Sequence, residues 1–230
     1  MRTLAIGDIH GCLRALDSLL EQVKPSRDDL VVTLGDYVDR GPDSKGVLDR
    51  LIDLRARTQL VSLRGNHDLM MLAAREDQEH FDEWLICGGK QAIESYRTNS
   101  DWRTFAQDIS DRHWHFLEDD CVAYHENKTH FFVHANVRSH LSIAEQPEYM
   151  LYWESLNGSD WQPHESGKTM ICGHTAQRSG RPLLLDRAIC IDTWVYGSGW
   201  LTCLDLETDL YWQTNQRGET RMGNLRFRSR

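Results

Sequence analysis

A chain of 230 residues, 40% of them hydrophobic, is long enough to bury a sizeable core without disulfides or a structural metal. Its 26 Lys and Arg against 35 Asp and Glu give a net charge of -9, which argues against a large phosphate-backbone footprint and so against nucleic acid as a partner. No apolar run approaches the roughly 20 residues that span a bilayer, so no membrane association is expected.

The first apolar run, TLAI (3–6), reads as a strand and stops at GDIHG (7–11). Leu13, Leu16, Leu20 and Val23 then share one helical face. A second strand, LVVTL (30–34), runs into GDYVDRGP (35–42), and Val47, Leu48, Leu51, Ile52 and Leu54 form a second helical stripe. A third strand, QLVSL (59–63), runs into RGNHD (64–68). Strand, helix, strand, helix, strand predicts a parallel sheet with crossover helices, hence an α/β chain.

From 69 to 114 the text is helical, charged and rich in Trp, and reads as a cap beside the sheet. Its most polar part, Glu76 to Trp84, is a candidate specificity element, and ICGGKQAIESY (86–96) is expected to turn back toward the cleft. CVAYHE turning through Asn127 into THFFVH predicts a hairpin, whose second strand (130–134) ends at HAN (134–136). TMIC (169–172) precedes GHT (173–175), and AICID (188–192) and WLTCLDL (200–206) follow with no long helix between them, as in a mixed or antiparallel sheet. With no linker or repeat, one domain is expected over 1–230, ending in a frayed basic tail that carries Arg217, Arg221, Arg226, Arg228 and Arg230. Cys12, Cys87, Cys121, Cys172, Cys190 and Cys203 form no CxxC pair and follow no secretory signal, as expected of reduced thiols in a cytoplasm.

Five strand ends thus carry Asp, Asn or His. Singly, each has an ordinary reading. Asp8 or Asp43 suits a helix cap, His134 or His174 a bonded core histidine, and Asn66 a turn. Unconnected caps and turns would rarely select this set five times, and in open α/β sheets the loops beyond the strand ends converge on one crevice. Asp8, His10, Asp36, Asn66, His134 and His174 together offer carboxylate, amide oxygen and imidazole with no thiolate. That set suits two divalent ions, manganese first, with iron or zinc also compatible. Asp36 can bridge them, and a metal-bound hydroxide would then attack a phosphate group. His67, directly after Asn66, is placed to act as general acid, and Asp39 to hold its ring charged and aimed. Arg40 offers a fork of donors matched to phosphate oxygens, whose ordinary alternative is a surface ion pair with Asp39. Cys12 is either a thiol near the metals or a small buried hydrophobe.

GDIHG, GDYVDRG, RGNHD, the histidine after a strand and GHT resemble the calcineurin-like metallophosphoesterases, and among them the bacterial and phage phosphoprotein phosphatases, from Thr3 to about Leu206. The resemblance implies a central β-sandwich of mixed sheets flanked by helices, with the site on loops at one edge. It implies one metal on Asp8, His10 and Asp36 and the other on Asp36, Asn66, His134 and His174. Arg40 and Asn66 would bind the substrate phosphate, and His67 with Asp39 would supply the acid. The implied activity is a serine/threonine protein phosphatase, with dual specificity as an extension and phosphorylated proteins or small phosphoesters as substrates. Three features depart from the pattern or divide it. Asp68 replaces the usual Glu, as in the related symmetrical diadenosine tetraphosphate hydrolases, the alternative reading. Asp39 points back to protein phosphatase. Glu154, in LYWES, stands where a second phosphate-binding arginine is looked for, with Arg138 or Arg178 as substitutes.

Overall fold

The computed structural model describes residues 1–98 and 100–225. In chain order its regular elements are β1 (Thr3–Ile6), α1 (Leu13–Val23), β2 (Leu30–Thr33), α2 (Ser44–Arg55), β3 (Gln59–Leu63) and α3 (Asn66–Ala73). The cap follows as α4 (Gln78–Trp84), α5 (Lys90–Tyr96) and α6 (Asp111–His115). Then come β4 (Cys121–Val122), β5 (Tyr124–Glu126), β6 (His130–Val133), α7 (Glu148–Tyr152) and β7 (Thr169–Cys172). The chain closes with β8 (Leu183–Leu185), β9 (Ala188–Cys190), β10 (Asp192–Thr193), β11 (Trp200–Asp205), β12 (Leu210–Thr214) and β13 (Thr220–Asn224).

β1, β2 and β3 pair in parallel, with Leu4 opposite Val31 and Val31 opposite Leu60, as the strand–helix alternation predicts. They form the middle of an eight-stranded sheet in the order β13-β12-β11-β1-β2-β3-β4, with β10 beside β11. The second sheet runs β5-β6-β7-β9-β8. Period-two alternation on each strand explains the layering. Ala5, Val32, Leu63, Phe132, Ile171 and Leu204 meet between the sheets. Leu4, Ile6 and Val31 turn the other way onto Leu16, Leu19, Val47 and Leu51 of α1 and α2. On the outer face of the second sheet, Phe131, Val133, Met170 and Cys172 pack against Leu151 and Tyr152 of α7. Phe132 is fully buried at the inter-sheet layer, where truncating an aromatic costs about 3–5 kcal/mol.

Several expectations are corrected. The hairpin is β5 with β6, but Cys121 and Val122 belong to the other sheet, so the chain changes sheets at Ala123. AICID is two strands rather than one. β9 lies in the second sheet, Ile191 is the crossing point, and β10 joins the first. β8, β12 and β13 were not anticipated. The expected frayed tail is structured at its start, because Arg221 lies on β13, donates from Nε to Gln213 Oε1 at 2.7 Å and stacks 4.1 Å over the Trp200 ring. Arg217 sits in the turn before β13, and Arg226, Arg228 and Arg230 lie outside the described residues. No described helix is long and apolar enough to cross a membrane.

Candidate active site

The ends of β1, β2, β3, β6 and β7 bring Asp8, His10, Asp36, Asn66, His134 and His174 into one cluster, buried except for the half-buried His174. Reaching it strains the backbone. Of the ten described non-glycine residues with positive φ, five are His10 (46°), Asp36 (52°), Asp39 (72°), Arg40 (66°) and His174 (60°), conformations that persist only where the surroundings enforce them. Gly173 permits the closest approach, since a Cβ there would stand 1.9 Å from Asp8 Oδ1.

The hydrogen bonds fix which ring nitrogens are bare, because a carbonyl can only accept. His134 donates from Nδ1 to Leu34 O at 2.8 Å. Its Nε2 lone pair then faces Asn66 Oδ1 at 3.0 Å and Asp36 Oδ1 at 3.5 Å. His174 donates from Nε2 to Trp153 O at 3.1 Å, which leaves Nδ1 facing Asn66 Oδ1 at 3.1 Å. His10 donates from Nδ1 to Val38 O at 3.0 Å, and its Nε2 stands 3.3 Å from Asp36 Oδ2. Asp8 Oδ1 is buried with no hydrogen-bond partner, while Oδ2 accepts from His174 N at 2.9 Å.

At Asn66 Oδ1, the bare nitrogens of His134 and His174 therefore meet an acceptor with no hydrogen between them, an arrangement that a cation relieves. Ligand atoms of Asp36, His134 and His174 lie within 4.8 Å of one another, as do those of His10, Asp36 and His67. Asp36 belongs to both groups, as a bridging carboxylate would. These residues fit divalent ions of the nitrogen- and oxygen-seeking kind.

Burial sets the electrostatics. It pushes His134 down to about 4 and lowers His174, so both rings are neutral and ligand-ready at pH 7. Asp8 is raised well above its usual value by burial and by Asp192 and Asp36. Asp36 goes the other way: burial opposes its ionisation, but His134, His67 and His10 outweigh it.

His67 and Asp39 form a separate pair at the edge of the cluster, with Nδ1 to Oδ2 at 2.7 Å. Trp84 Nε1 donates to both Asp39 oxygens, at 2.9 and 3.0 Å. Burial pushes Asp39 up to about 8 and His67 down to about 4. Burial thus weighs against the charged imidazole that the sequence reading gave to the pair. With its carboxyl neutral, Asp39 would donate to His67 Nδ1 and His67 would bear its hydrogen on Nε2. Arg40 stands beside them, Nη1 donating to His10 Nε2 at 3.2 Å and the guanidinium 4.5 Å over the Tyr196 ring. It is not a surface ion pair with Asp39.

Other expectations resolve as follows. Asp43 is a cap, accepting from Gly46 N at 2.8 Å, and Asp8 is not. Cys12 is buried and raised to about 12 by desolvation, so it packs as a small hydrophobe. Asp68 accepts from Asp36 N, Tyr37 N and Gly65 N at 2.9, 3.0 and 2.9 Å, bracing two motif loops against each other. Arg178 stacks on Trp194 at 5.3 Å and Arg138 donates from Nε to Tyr149 OH at 3.0 Å, so both guanidinium groups are engaged at neighbouring aromatic side chains. Glu154 lines the same cavity of about 470 Å³ as Arg138. Three site neighbours escaped the sequence reading. Asp192 is buried beside Asp8, and its signal was a sixth strand end carrying Asp, Asn or His, absorbed into AICID. Trp84 and Tyr196 had no signal in spacing or pattern.

A family model described as calcineurin-like phosphoesterase matches residues 1–197. A serine/threonine-protein phosphatase 1 of Salmonella typhimurium is 40% identical over 85 residues, which is 36% of this chain and 37% of that protein. A symmetrical bis(5'-nucleosyl)-tetraphosphatase of Erwinia tasmaniensis is 52% identical over 75 residues, 32% of this chain and 26% of that protein. The matches to these curated relatives thus span about a third or less of their length. Among solved structures, a putative diadenosine tetraphosphatase superposes with a TM-score of 0.67 at 19% identity, covering 96% of this chain and 92% of that one. A cold-active protein tyrosine phosphatase gives 0.63 at 17% identity, covering 96% and 78%. These two likenesses concern the fold. With a match that passes through all five loops and most of the sequence, the chain belongs to the calcineurin-like phosphoesterase family.

Proposed function

We propose that the protein is a dimetal-dependent phosphomonoesterase acting on phosphoserine and phosphothreonine in proteins, with phosphotyrosine as a further substrate. One ion would be held by Asp8, His10 and Asp36 and the other by Asp36, Asn66, His134 and His174, a donor set that manganese fits. When bound, the ions supply Lewis-acid stabilisation of the phosphoryl oxygens and a nucleophile at neutral pH. Arg40 and Asn66 orient the phosphate. His67 gives its Nε2 proton to the leaving oxygen while Asp39, through Nδ1, replaces it, so that no imidazolate forms.

The observation that carries this reading is the 2.7 Å His67–Asp39 contact locked by Trp84. A serine or threonine alkoxide is a strong base and needs a proton to leave, whereas a nucleoside diphosphate leaves as a weak base and needs none. A buried, proton-charged pair beside the metal ligands is therefore machinery for an alkyl ester.

The second reading is a symmetrical dinucleoside polyphosphate hydrolase, favoured by the relatives of that name and by Asp68. The three backbone hydrogen bonds of Asp68 give the Asp-for-Glu difference a packing role and weaken it as a substrate marker. Six free cysteines, five of them buried, suit a reducing cytoplasm. The test is side-by-side rates, with added manganese, on a phosphoserine peptide, a phosphotyrosine compound and diadenosine tetraphosphate. Fastest turnover of the phosphoserine peptide is expected. Release of nucleoside diphosphate far faster than release of phosphate from any peptide would establish the second reading instead.

A further inference from the structure

A leaving oxygen that takes its proton from His67 must lie on the His67 side of the phosphate. The chain carrying that oxygen then runs over whatever borders Asp39 and Arg40. That border is the turn between α4 and α5. Leu85–Gly89 joins the two helices through a kink at Gly88, φ 127°, whose carbonyl accepts Arg40 N–H at 3.1 Å. A Cβ on residue 88 would stand 2.8 Å from Arg40 Cγ and 3.4 Å from Asp39 Cβ, so the turn is seated directly on both residues. The sequence reading offered Glu76 to Trp84 as a specificity element and expected 86–96 to turn back toward the cleft; the turn seated on Asp39 and Arg40 lies in the second of these segments.

Outside the turn is a cavity of about 440 Å³ lined by Arg40, Ile86, Cys87, Gly88, Lys90 and Gln91 among others. Two cations line it and no carboxylate does, in a chain of net charge -9. Arg40 is committed inward, to His10 and the Tyr196 ring. Lys90 is exposed at the first residue of α5, and Ile86 stands 84% exposed at the lip. A separate cavity, beside Tyr149, carries Glu154 and Asp160 together with Arg138.

We infer that the cavity over residues 85–91 is the subsite for the leaving-group chain, in which Ile86 takes an apolar contact and Lys90 pairs with an acidic residue flanking the phosphorylated one. The inference rests on the phosphoprotein reading above. The enzyme accordingly selects phosphosites in acidic surroundings.

Phosphoserine peptides differing only in their flanking residues, Asp, Ala or Lys, separate the possibilities through kcat/KM. Metal-loaded wild type is expected to favour the acidic flank over the neutral one by about three- to fivefold at low salt, the range of an exposed ion pair. The preference shrinks at about 0.5 M salt. Lys90→Arg keeps it and Lys90→Glu inverts it, with melting temperatures recorded to show that both variants fold. Flank-independent rates in the wild type, or a Lys90→Glu variant with the wild-type preference, would overturn the inference while leaving the phosphoprotein reading intact. Failure of that reading looks different: no peptide of any flank is hydrolysed while diadenosine tetraphosphate is, and both then fall.

Discussion

Replacing the acid tests the chemistry most directly. In His67→Asn the ring that meets Asp39 at 2.7 Å is lost, but Trp84 still donates to the carboxyl. Burial raises Asp39, which favours a neutral carboxyl there and limits the unpaired charge that the variant would bury. It should fold and, with His67 outside the proposed ligand set, retain its metals. A positioned acid contributes ~10²–10⁴-fold, or about 3–5 kcal/mol of barrier at 1.36 kcal/mol per tenfold. That loss applies only where the leaving group needs a proton. The kcat on a phosphoserine peptide should therefore fall by ~10²–10⁴. On p-nitrophenyl phosphate, whose phenolate is a far weaker base than an alkoxide, it should fall by less than about tenfold. The assay is steady-state kcat on both substrates, with metal content measured by elemental analysis on the same samples. Equal losses on the two substrates with metals retained would refute the argument, and so would parent-rate turnover of the peptide.

Further expectations follow from the same geometry. In metal-free protein, His67 should stay neutral as pH falls until about 4 while Asp39 keeps its proton as pH rises to about 8. The ¹⁵N shifts of the His67 ring read this, and an imidazolium at pH 6 would contradict it. Asp36→Asn should weaken both ions at once, since Asp36 meets ligand atoms of both groups; elemental analysis finding one ion lost and the other held would count against a bridging role. Gly173→Ala would drive a Cβ to 1.9 Å from Asp8 Oδ1, so metal affinity should fall and stability drop by about 1–3 kcal/mol, read by melting with and without manganese; an unchanged pair of melting curves would sink the cradle argument.

The parts of the fold that were legible are those where local pattern and tertiary role agree. TLAI, LVVTL and TMIC are apolar on both faces because each strand is sandwiched, and they end where apolar side chains stop being useful. β13 was illegible for the opposite reason. Thr220, Arg221 and Met222 are exposed on the edge strand of the sheet, so no alternation marks it and Arg221 reads as tail. The split of AICID is equally hidden, because Ile191 is apolar in either sheet and only the partner strands reveal the crossing. At the site, the ligating residues share a visible context, polar groups beyond strands. The residues that tune them do not. Trp84 meets Asp39 across 45 positions of sequence, and Tyr196 lies under Arg40 from a loop with no shared pattern.

That Trp84 contact changes what the cap does. Its indole is fully buried, 6.0 Å from Phe81 and 5.5 Å from Phe105 between ring centroids, and a Cβ on Gly89 would strike it at 2.5 Å. The ring is thus clamped by three cap segments while its one polar atom reaches the sheet-end loop that carries Asp39. A carboxyl with that N–H removed has lost a donor that favours its ionised form, and would move further up from about 8. If His67 is the acid proposed above, its proton supply depends on how α4 and α5 pack and not on the motif loops alone. The turn that continues from Trp84 through Gly88 also holds Arg40. On the roles proposed above, acid and phosphate grip would hang from one short stretch of cap, and sequence changes there should alter proton delivery and substrate fit together while the proposed metal ligands on the strand ends stay in place.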